Sequence, residues 1–256
     1  MIACVMSAPA GLAISKVLYP ETKRAPLHSL KSLESVKIKY SNIVEAAMAG
    51  AMDAVPIVVG IAANLIAFLS LYQFMNSLLT WFGERAQLPK PLTFELIFSY
   101  LLWPLAFTMG VPQEDCFKVA ELIGVKMMLN EFAAYKNLGQ LIDNQALFRQ
   151  RNTSVPYTVL PSGDWRVTMT DGSLANLTGG IIITNRAVII VTYCLCGFAN
   201  IGSVGIMLGS MVTMLPHRRI ELSGMVLSAV IGGSVACFLT GSFAGKFIAS
   251  FAVPFQ

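Results

Sequence analysis

Three long stretches without Asp, Glu, Lys or Arg constrain this chain more than any other feature. They cover residues 54–83, 187–217 and 222–245. A helix needs about 20 apolar residues to cross the hydrocarbon core of a bilayer, where its backbone polar groups must be satisfied within the segment. We therefore predict membrane helices at 46–82, 184–214 and 219–250.

The composition excludes several classes of protein. Hydrophobic residues make up 55% of the chain and charged residues only 12%, whereas an average globular chain carries roughly 25% charged residues. The sequence therefore does not fit a soluble enzyme, a disordered protein or a nucleic-acid-binding domain. It also has no zinc-protease, CxxC or phosphate-loop motif, so we predict no catalytic residue, no metal ligand and no cofactor.

The segments outside these helices have a different character. Residues 1–19 fit a partial transmembrane helix; a signal peptide is the competing interpretation, but no basic segment precedes the apolar run. Residues 93–109 fit an interfacial helix, since Pro104 and Gly110 interrupt an apolar stretch at the lower limit of a span. Within residues 113–143, the apolar stretch 116–131 carries four charges that cannot face lipid, namely Lys118, Glu121, Lys126 and Glu131. A re-entrant hairpin packed inside protein has this character.

Two polar segments predict the topology. The linker 20–43 is rich in lysine and is assigned to the cytoplasm by the positive-inside rule, as is the short turn 216–219. The loop 144–183 then lies outside the cell, with candidate glycosylation sites at Asn152 and Asn176. The final helix ends outside.

Glu131 allows two interpretations. A carboxylate at membrane depth costs roughly 2.5–3.5 kcal/mol on insertion scales, so it needs a partner or a use. It could pair with Lys126 or Lys136, or lie exposed where the hairpin ends. Alternatively, it could accept hydrogen bonds from the hydroxyl groups of a ligand.

Asn200 and Ser203 are three residues apart and therefore share a helix face. Polar and small residues in membrane helices usually join helices, and the GxxxG patterns at 205–209 and 241–245 fit that role. The alternative is a discontinuous helix whose freed backbone and amide face a solute.

Several stretches resemble one family in order along nearly the whole chain. The two most specific are KMMLNEFAAY at 126–135 and CLCGFANIGS at 194–203. Supporting stretches are VMSAPA at 5–10, YPET at 19–22, NLIAF at 64–68 and MLPHRR at 214–219. Together they resemble the C-terminal half of the concentrative nucleoside transporters, which are nucleoside–sodium or nucleoside–proton symporters.

The resemblance implies an all-α polytopic membrane protein that forms the second inverted repeat of an elevator-type transporter. Residues 44–256 would be its C-terminal domain, with a scaffold helix, an interfacial helix, a re-entrant hairpin whose tip includes Asn130, and a broken transmembrane helix. By the same resemblance, Glu131, Asn200 and Ser203 would bind the ribose hydroxyls of a purine or pyrimidine nucleoside, and Phe198 would line the pocket. The protein would be a homotrimer in the lipid of the plasma membrane.

The family's first hairpin, which contacts the nucleobase, has no counterpart in these 256 residues. The adjoining helix, which would supply most of the Na⁺ (or H⁺) ligands, has none either. The resemblance therefore predicts a fragment of a symporter that couples nucleoside uptake to Na⁺ or H⁺ entry by alternating access. The alternative is a truncated subunit that transports nothing itself and associates with full-length transporters.

Overall fold

The computed structural model describes residues 2–21, 41–160, 162–214 and 216–251. Within these residues the chain is mostly helical, with nine α-helices and one small sheet. The helices are α1 (Ile2–Leu18), α2 (Ile43–Arg85), α3 (Phe94–Leu101), α4 (Trp103–Thr108), α5 (Cys116–Met128), α6 (Glu131–Arg149), α7 (Asn185–Leu195), α8 (Ile201–Met214) and α9 (Arg219–Phe251). Most of the linker predicted at 20–43 lies outside the described residues.

Two helices are long and apolar enough to cross a membrane, judged by length and composition in the described part of the chain. These are α2 and the segment Arg219–Phe247 of α9, with mean hydropathy of 2.3 and 2.0. The N-cap of α2 is Asn42, whose side chain accepts a hydrogen bond from the Glu45 N–H at 2.8 Å. The sequence also predicts an interhelical hydrogen bond for Asn64, whose side chain lies outside the described residues.

The predicted helix at 184–214 is two helices in the structure, α7 and α8, with residues 196–200 between them. The predicted interfacial helix at 93–109 is likewise two short helices, α3 and α4. Pro104 lies in the first turn of α4, where its missing N–H removes no helical hydrogen bond. Pro104 therefore starts a second helix.

The second helix of the predicted hairpin, α6, continues to Arg149 rather than ending at 143. Its last turns carry polar side chains that the sequence suggested were in water, but Asn144 and Gln145 are buried. The Asn144 amide donates to the carbonyls of Thr178 and Gly180 at 2.9 and 2.8 Å, and the Gln145 amide donates to Ile183 at 3.0 Å. These side chains hold the end of the following loop against the helix.

The loop also contains a three-stranded antiparallel sheet, which an all-α fold does not include. Its strands are β1 (Thr158–Val159), β2 (Trp165–Thr168) and β3 (Leu174–Leu177). Val167, Leu177 and Ile181 form a small buried cluster beneath it. Of the two candidate glycosylation sites, Asn176 is exposed on β3, whereas Asn152 is half-buried.

The main core surrounds the hairpin, because α5 is buried along most of its length by its neighbours α3, α4, α6 and α7. The GxxxG pattern at 241–245 joins helices as predicted from its small residues. A β-carbon at Gly241 would lie 2.9 Å from the Ile190 carbonyl oxygen, and one at Gly245 would lie 2.5 Å from Ile190 Cγ1. The backbones of α7 and α9 can therefore approach closely here.

We expect Gly241→Ala to destabilise the protein by about 1–3 kcal/mol, because the new methyl group must push α9 away from α7. Thermal unfolding of the detergent-solubilised protein measures this. Gly224→Ala is the matched control, since Gly224 lies on the same helix with nothing within 4 Å of its added β-carbon. Equal melting temperatures for the two variants would contradict the close packing of α7 against α9.

Candidate functional site

The tip of the hairpin places a carboxylate at the start of a helix. Only Leu129 and Asn130 separate α5 from α6, and the Asn130 side chain caps α6 by accepting the Ala133 N–H at 2.8 Å. Glu131 is the first residue of α6 and is 6% exposed. The positive end of the helix dipole stabilises an anion at this position.

The segment between α7 and α8 places an amide beside this carboxylate. Gly197 has a φ of +131°, which residues with a β-carbon rarely adopt, and a β-carbon there would lie 2.7 Å from Cys237 Sγ. Three residues later, Asn200 Oδ1 accepts the Ser203 N–H at 2.7 Å. Asn200 therefore caps the start of α8, as Asn130 caps the start of α6.

Glu131 and Asn200 are in direct contact across 69 residues of sequence. The Asn200 Nδ2 donates to Glu131 Oε2 at 3.0 Å, and Asn200 is 2% exposed. A β-carbon at Gly202 would lie 2.9 Å from the Leu129 carbonyl oxygen, so only glycine lets the first turn of α8 approach the hairpin tip this closely. The N-termini of α6 and α8 thus converge on one carboxylate–amide pair.

Ser203 and Phe198 complete the predicted set. The Ser203 hydroxyl can donate to the carbonyl of Phe198 at 2.5 Å or of Asn200 at 3.0 Å, which leaves its oxygen lone pairs free to accept. The Phe198 side chain is 68% exposed. Both residues line a cavity of about 590 Å³ between α1, α8 and α9, whereas Glu131 and Asn200 are not among its lining residues.

The structure shows which of the predicted partners of Glu131 lie within ion-pair distance. No ion pair joins Glu131 to Lys126 or Lys136 among the salt bridges of the described residues. Lys136 is exposed, and the Lys126 ammonium instead donates to the Cys194 carbonyl at 2.9 Å. Among the described residues Glu131 therefore has no cation within 4.0 Å, although the Lys126 charge acts on it at longer range, and it is not exposed at the end of the hairpin.

The sequence did not predict the partners of two buried charged groups, which bind the two ends of α7. The ammonium of Lys126 contacts the last turn of α7, and the carboxylate of Asp115 binds the first turn of α7 through Ile183 and Thr184. Both side chains come from α5 or its N-cap. The sequence indicated Lys126 as a charge within protein or a partner of Glu131, and Asp115 as an acid suited to the start of its own helix. Within the described residues, no group of three or more His, Cys, Asp or Glu side chains could hold a metal ion.

Comparison with protein families gives one match that covers most of the chain. The family described as "Na+ dependent nucleoside transporter C-terminus" matches residues 1–162 and 168–245. This confirms the resemblance carried by the two signature stretches, 126–135 and 194–203.

Curated relatives agree with this match. The chain is 43% identical over 245 residues to solute carrier family 28 member 3 of Eptatretus stoutii, covering 96% of the chain and 32% of the relative. It is 43% identical over 246 residues to sodium/nucleoside cotransporter 1 of Mus musculus, covering 95% and 34%. These relatives are named as carriers and cotransporters, in agreement with the prediction that the chain is not an enzyme. The chain spans about a third of their length.

Solved structures share the fold. A CNTnw variant in an intermediate 3 state superposes with a TM-score of 0.73 at 27% identity, covering 96% of this chain and 50% of that one. CNTnw in an inward-facing substrate-bound state gives 0.72 at 26% identity, covering 99% and 51%.

Proposed function

The chain belongs to the Na⁺ dependent nucleoside transporter family, and on that premise we propose that it supplies the ribose-binding part of a nucleoside symporter. It would act as the second of two inverted repeats, with the hairpin of α5 and α6 and a transmembrane helix broken between α7 and α8. Uptake would be coupled to Na⁺ or H⁺ entry by an elevator motion of the hairpin-bearing domain. The protein would work as a homotrimer in the plasma membrane.

The observation that carries this proposal is the contact between Glu131 and Asn200 at two converging helix N-termini. The Asn200 amide donates one hydrogen bond to Oε2 of Glu131. An ionised carboxylate has about four lone-pair sites. Glu131 can therefore accept hydroxyl groups while it keeps its bond to Asn200. The second amide hydrogen of Asn200 can donate to a ligand oxygen in the same place.

This chemistry suits the two hydroxyl groups of a ribose ring. A vicinal diol needs acceptors for its two hydrogens and a donor to its oxygens. Glu131 and Ser203 offer acceptors, and the Asn200 amide offers a donor. Hydrogen bonds to a charged acceptor contribute about 1.5–3 kcal/mol each. Phe198 would pack its exposed ring against the apolar face of the ligand, in the cavity that it lines with Ser203.

Binding of radiolabelled uridine to the purified protein in lipid nanodiscs tests the proposed function. We expect saturable binding. When this chain is joined to the family's first repeat, which would carry most of the Na⁺ ligands, binding should weaken as choline replaces Na⁺ at constant pH. We also expect uridine to bind at least tenfold more tightly than 2′,3′-dideoxyuridine, because loss of hydroxyl groups leaves Glu131 without donors. We define the ribose selectivity as the dissociation constant of 2′,3′-dideoxyuridine divided by that of uridine.

A ribose selectivity near one would contradict the assignment of Glu131, Asn200 and Ser203 as ribose contacts. In the protein with both repeats, binding that is insensitive to both Na⁺ and H⁺ would contradict the proposed ion coupling. The two measurements are independent, so either half of the proposal can fail alone.

A further inference from the structure

Lys126 is the largest fully buried side chain in the described part of the chain. It is not among the residues proposed to contact the nucleoside. It lies in the last turn of α5, just before the hairpin tip. No carboxylate among the described residues lies within 4.0 Å of its ammonium group. Burying a cation without a close ion pair is costly. Within the described residues, the cation is compensated by a hydrogen bond and by the more distant charge of Glu131.

That bond is made to the C-terminus of α7. The Lys126 Nζ donates to the Cys194 carbonyl oxygen at 2.9 Å, and α7 ends at Leu195. The last four carbonyls of a helix have no partner within the helix, and they form the negative end of its dipole, where a cation is stabilising. Lys126 therefore caps α7 with a full positive charge.

Two more side chains bind the carbonyls at this end of α7. The Tyr135 hydroxyl on α6 donates to the Thr192 carbonyl at 2.7 Å. The Cys237 thiol on α9 donates to the Cys196 carbonyl at 3.0 Å. The backbone that leaves α7 is thus fixed from three helices, two of which belong to the hairpin.

The fixed segment leads directly to Asn200, five residues beyond the end of α7. The hairpin therefore contacts the region between α7 and α8 twice. It binds the end of α7 through Lys126 and Tyr135, and it binds the start of α8 through Glu131. A shift at the first contact moves Asn200 relative to Glu131 at the second.

We infer that Lys126, supported by Tyr135, is a positioning residue that holds the end of α7 so that Asn200 and Glu131 meet in the geometry that reads the ribose hydroxyls. This inference rests on the proposed function. Lys126 does not itself contact the nucleoside; it acts through the backbone between α7 and α8.

Ribose selectivity separates this role from a general contribution to folding. Loss of folded protein lowers the number of binding sites but leaves the ratio of two dissociation constants unchanged. We expect Lys126→Met, which removes the charge and the donor at similar length, to lower the selectivity about tenfold. Lys126→Arg keeps the charge and N–H donors and should retain more selectivity than Lys126→Met. Lys136→Met, at an exposed lysine on α6, is the matched control and should leave the ratio unchanged.

Tyr135→Phe gives an independent test if Lys126→Met yields too little folded protein. It removes one hydroxyl group and keeps the ring, so it should fold and lower the selectivity about two- to tenfold. Wild-type selectivity in Tyr135→Phe, or in folded Lys126→Met, would overturn the inference and leave the proposed function standing. A ribose selectivity near one in the wild-type protein would refute the proposed function itself, and the inference with it.

Discussion

Glu131→Ala is expected to weaken uridine binding by about 10- to 150-fold, the largest effect on binding that we expect from a single substitution. The estimate corresponds to about 1.5–3 kcal/mol for a hydrogen bond to a charged group. The variant removes the carboxylate that accepts the ribose hydroxyls and also leaves the Asn200 amide without its partner. Radiolabelled uridine binding in nanodiscs measures the change. Glu114→Ala, at an exposed acid just before α5, is the control and should bind as the wild type does.

A comparison with 2′,3′-dideoxyuridine shows whether the carboxylate acts on the hydroxyl groups. If Glu131 binds them, the losses from removing the carboxylate and from removing the hydroxyls should not add, because each change abolishes the same contact. Glu131→Ala should therefore bind uridine and dideoxyuridine with similar affinity. Additive losses would contradict the assignment of Glu131 as a ribose contact, even if binding became weaker.

Asp115→Ala is expected to reduce the free energy of unfolding by about 3–5 kcal/mol, the largest effect on stability. The Asp115 carboxylate is 1% exposed and accepts three hydrogen bonds at the start of α7. These come from the Ile183 N–H at 2.7 Å, the Thr184 N–H at 3.0 Å and the Thr184 hydroxyl at 2.5 Å. The substitution leaves these donors unsatisfied and removes an anion from the positive end of α7.

Thermal unfolding of the detergent-solubilised protein measures the effect of Asp115→Ala. Asp143→Ala is the matched control, because Asp143 is an exposed acid on α6 and surface substitutions usually change stability by less than 0.5 kcal/mol. Equal melting temperatures for the two variants would show that Asp115 does not fasten the hairpin to α7.

The structure brings two of the candidate residues, Glu131 and Asn200, into contact, a pairing that the sequence did not predict. The helix N-caps at Asn130 and Asn200 follow local rules, since a capping amide needs only an N–H two or three residues later. The contact between Glu131 and Asn200 joins residues 69 positions apart. Without the tertiary fold, the charge pattern left an ion pair with Lys126 and a ligand contact equally open.

Other elements differ from the predictions because they depend on contacts between residues that are distant in sequence or are too short to leave a pattern. Polar residues from 144 onward suggested an aqueous loop, but Asn144 and Gln145 bind backbone carbonyls of residues 178–183 and extend α6. The strands at 158–177 are short, and their buried cluster contains only three residues. Such a sheet leaves little periodic signal in the sequence. The sequence placed Lys126 inside protein and Asp115 at the start of its own helix, but the helix ends that they bind lie about 70 residues away.

The most direct test of the account is a structure of the purified protein in nanodiscs with uridine and Na⁺, determined by electron cryo-microscopy. We predict the ribose ring at the N-termini of α6 and α8, with hydroxyl oxygens within about 2.5–3.2 Å of the Glu131 carboxylate and the Asn200 amide. The Lys126 ammonium should remain on the Cys194 carbonyl in that complex. A nucleoside bound elsewhere, or one whose ribose faces away from Glu131, would contradict the account.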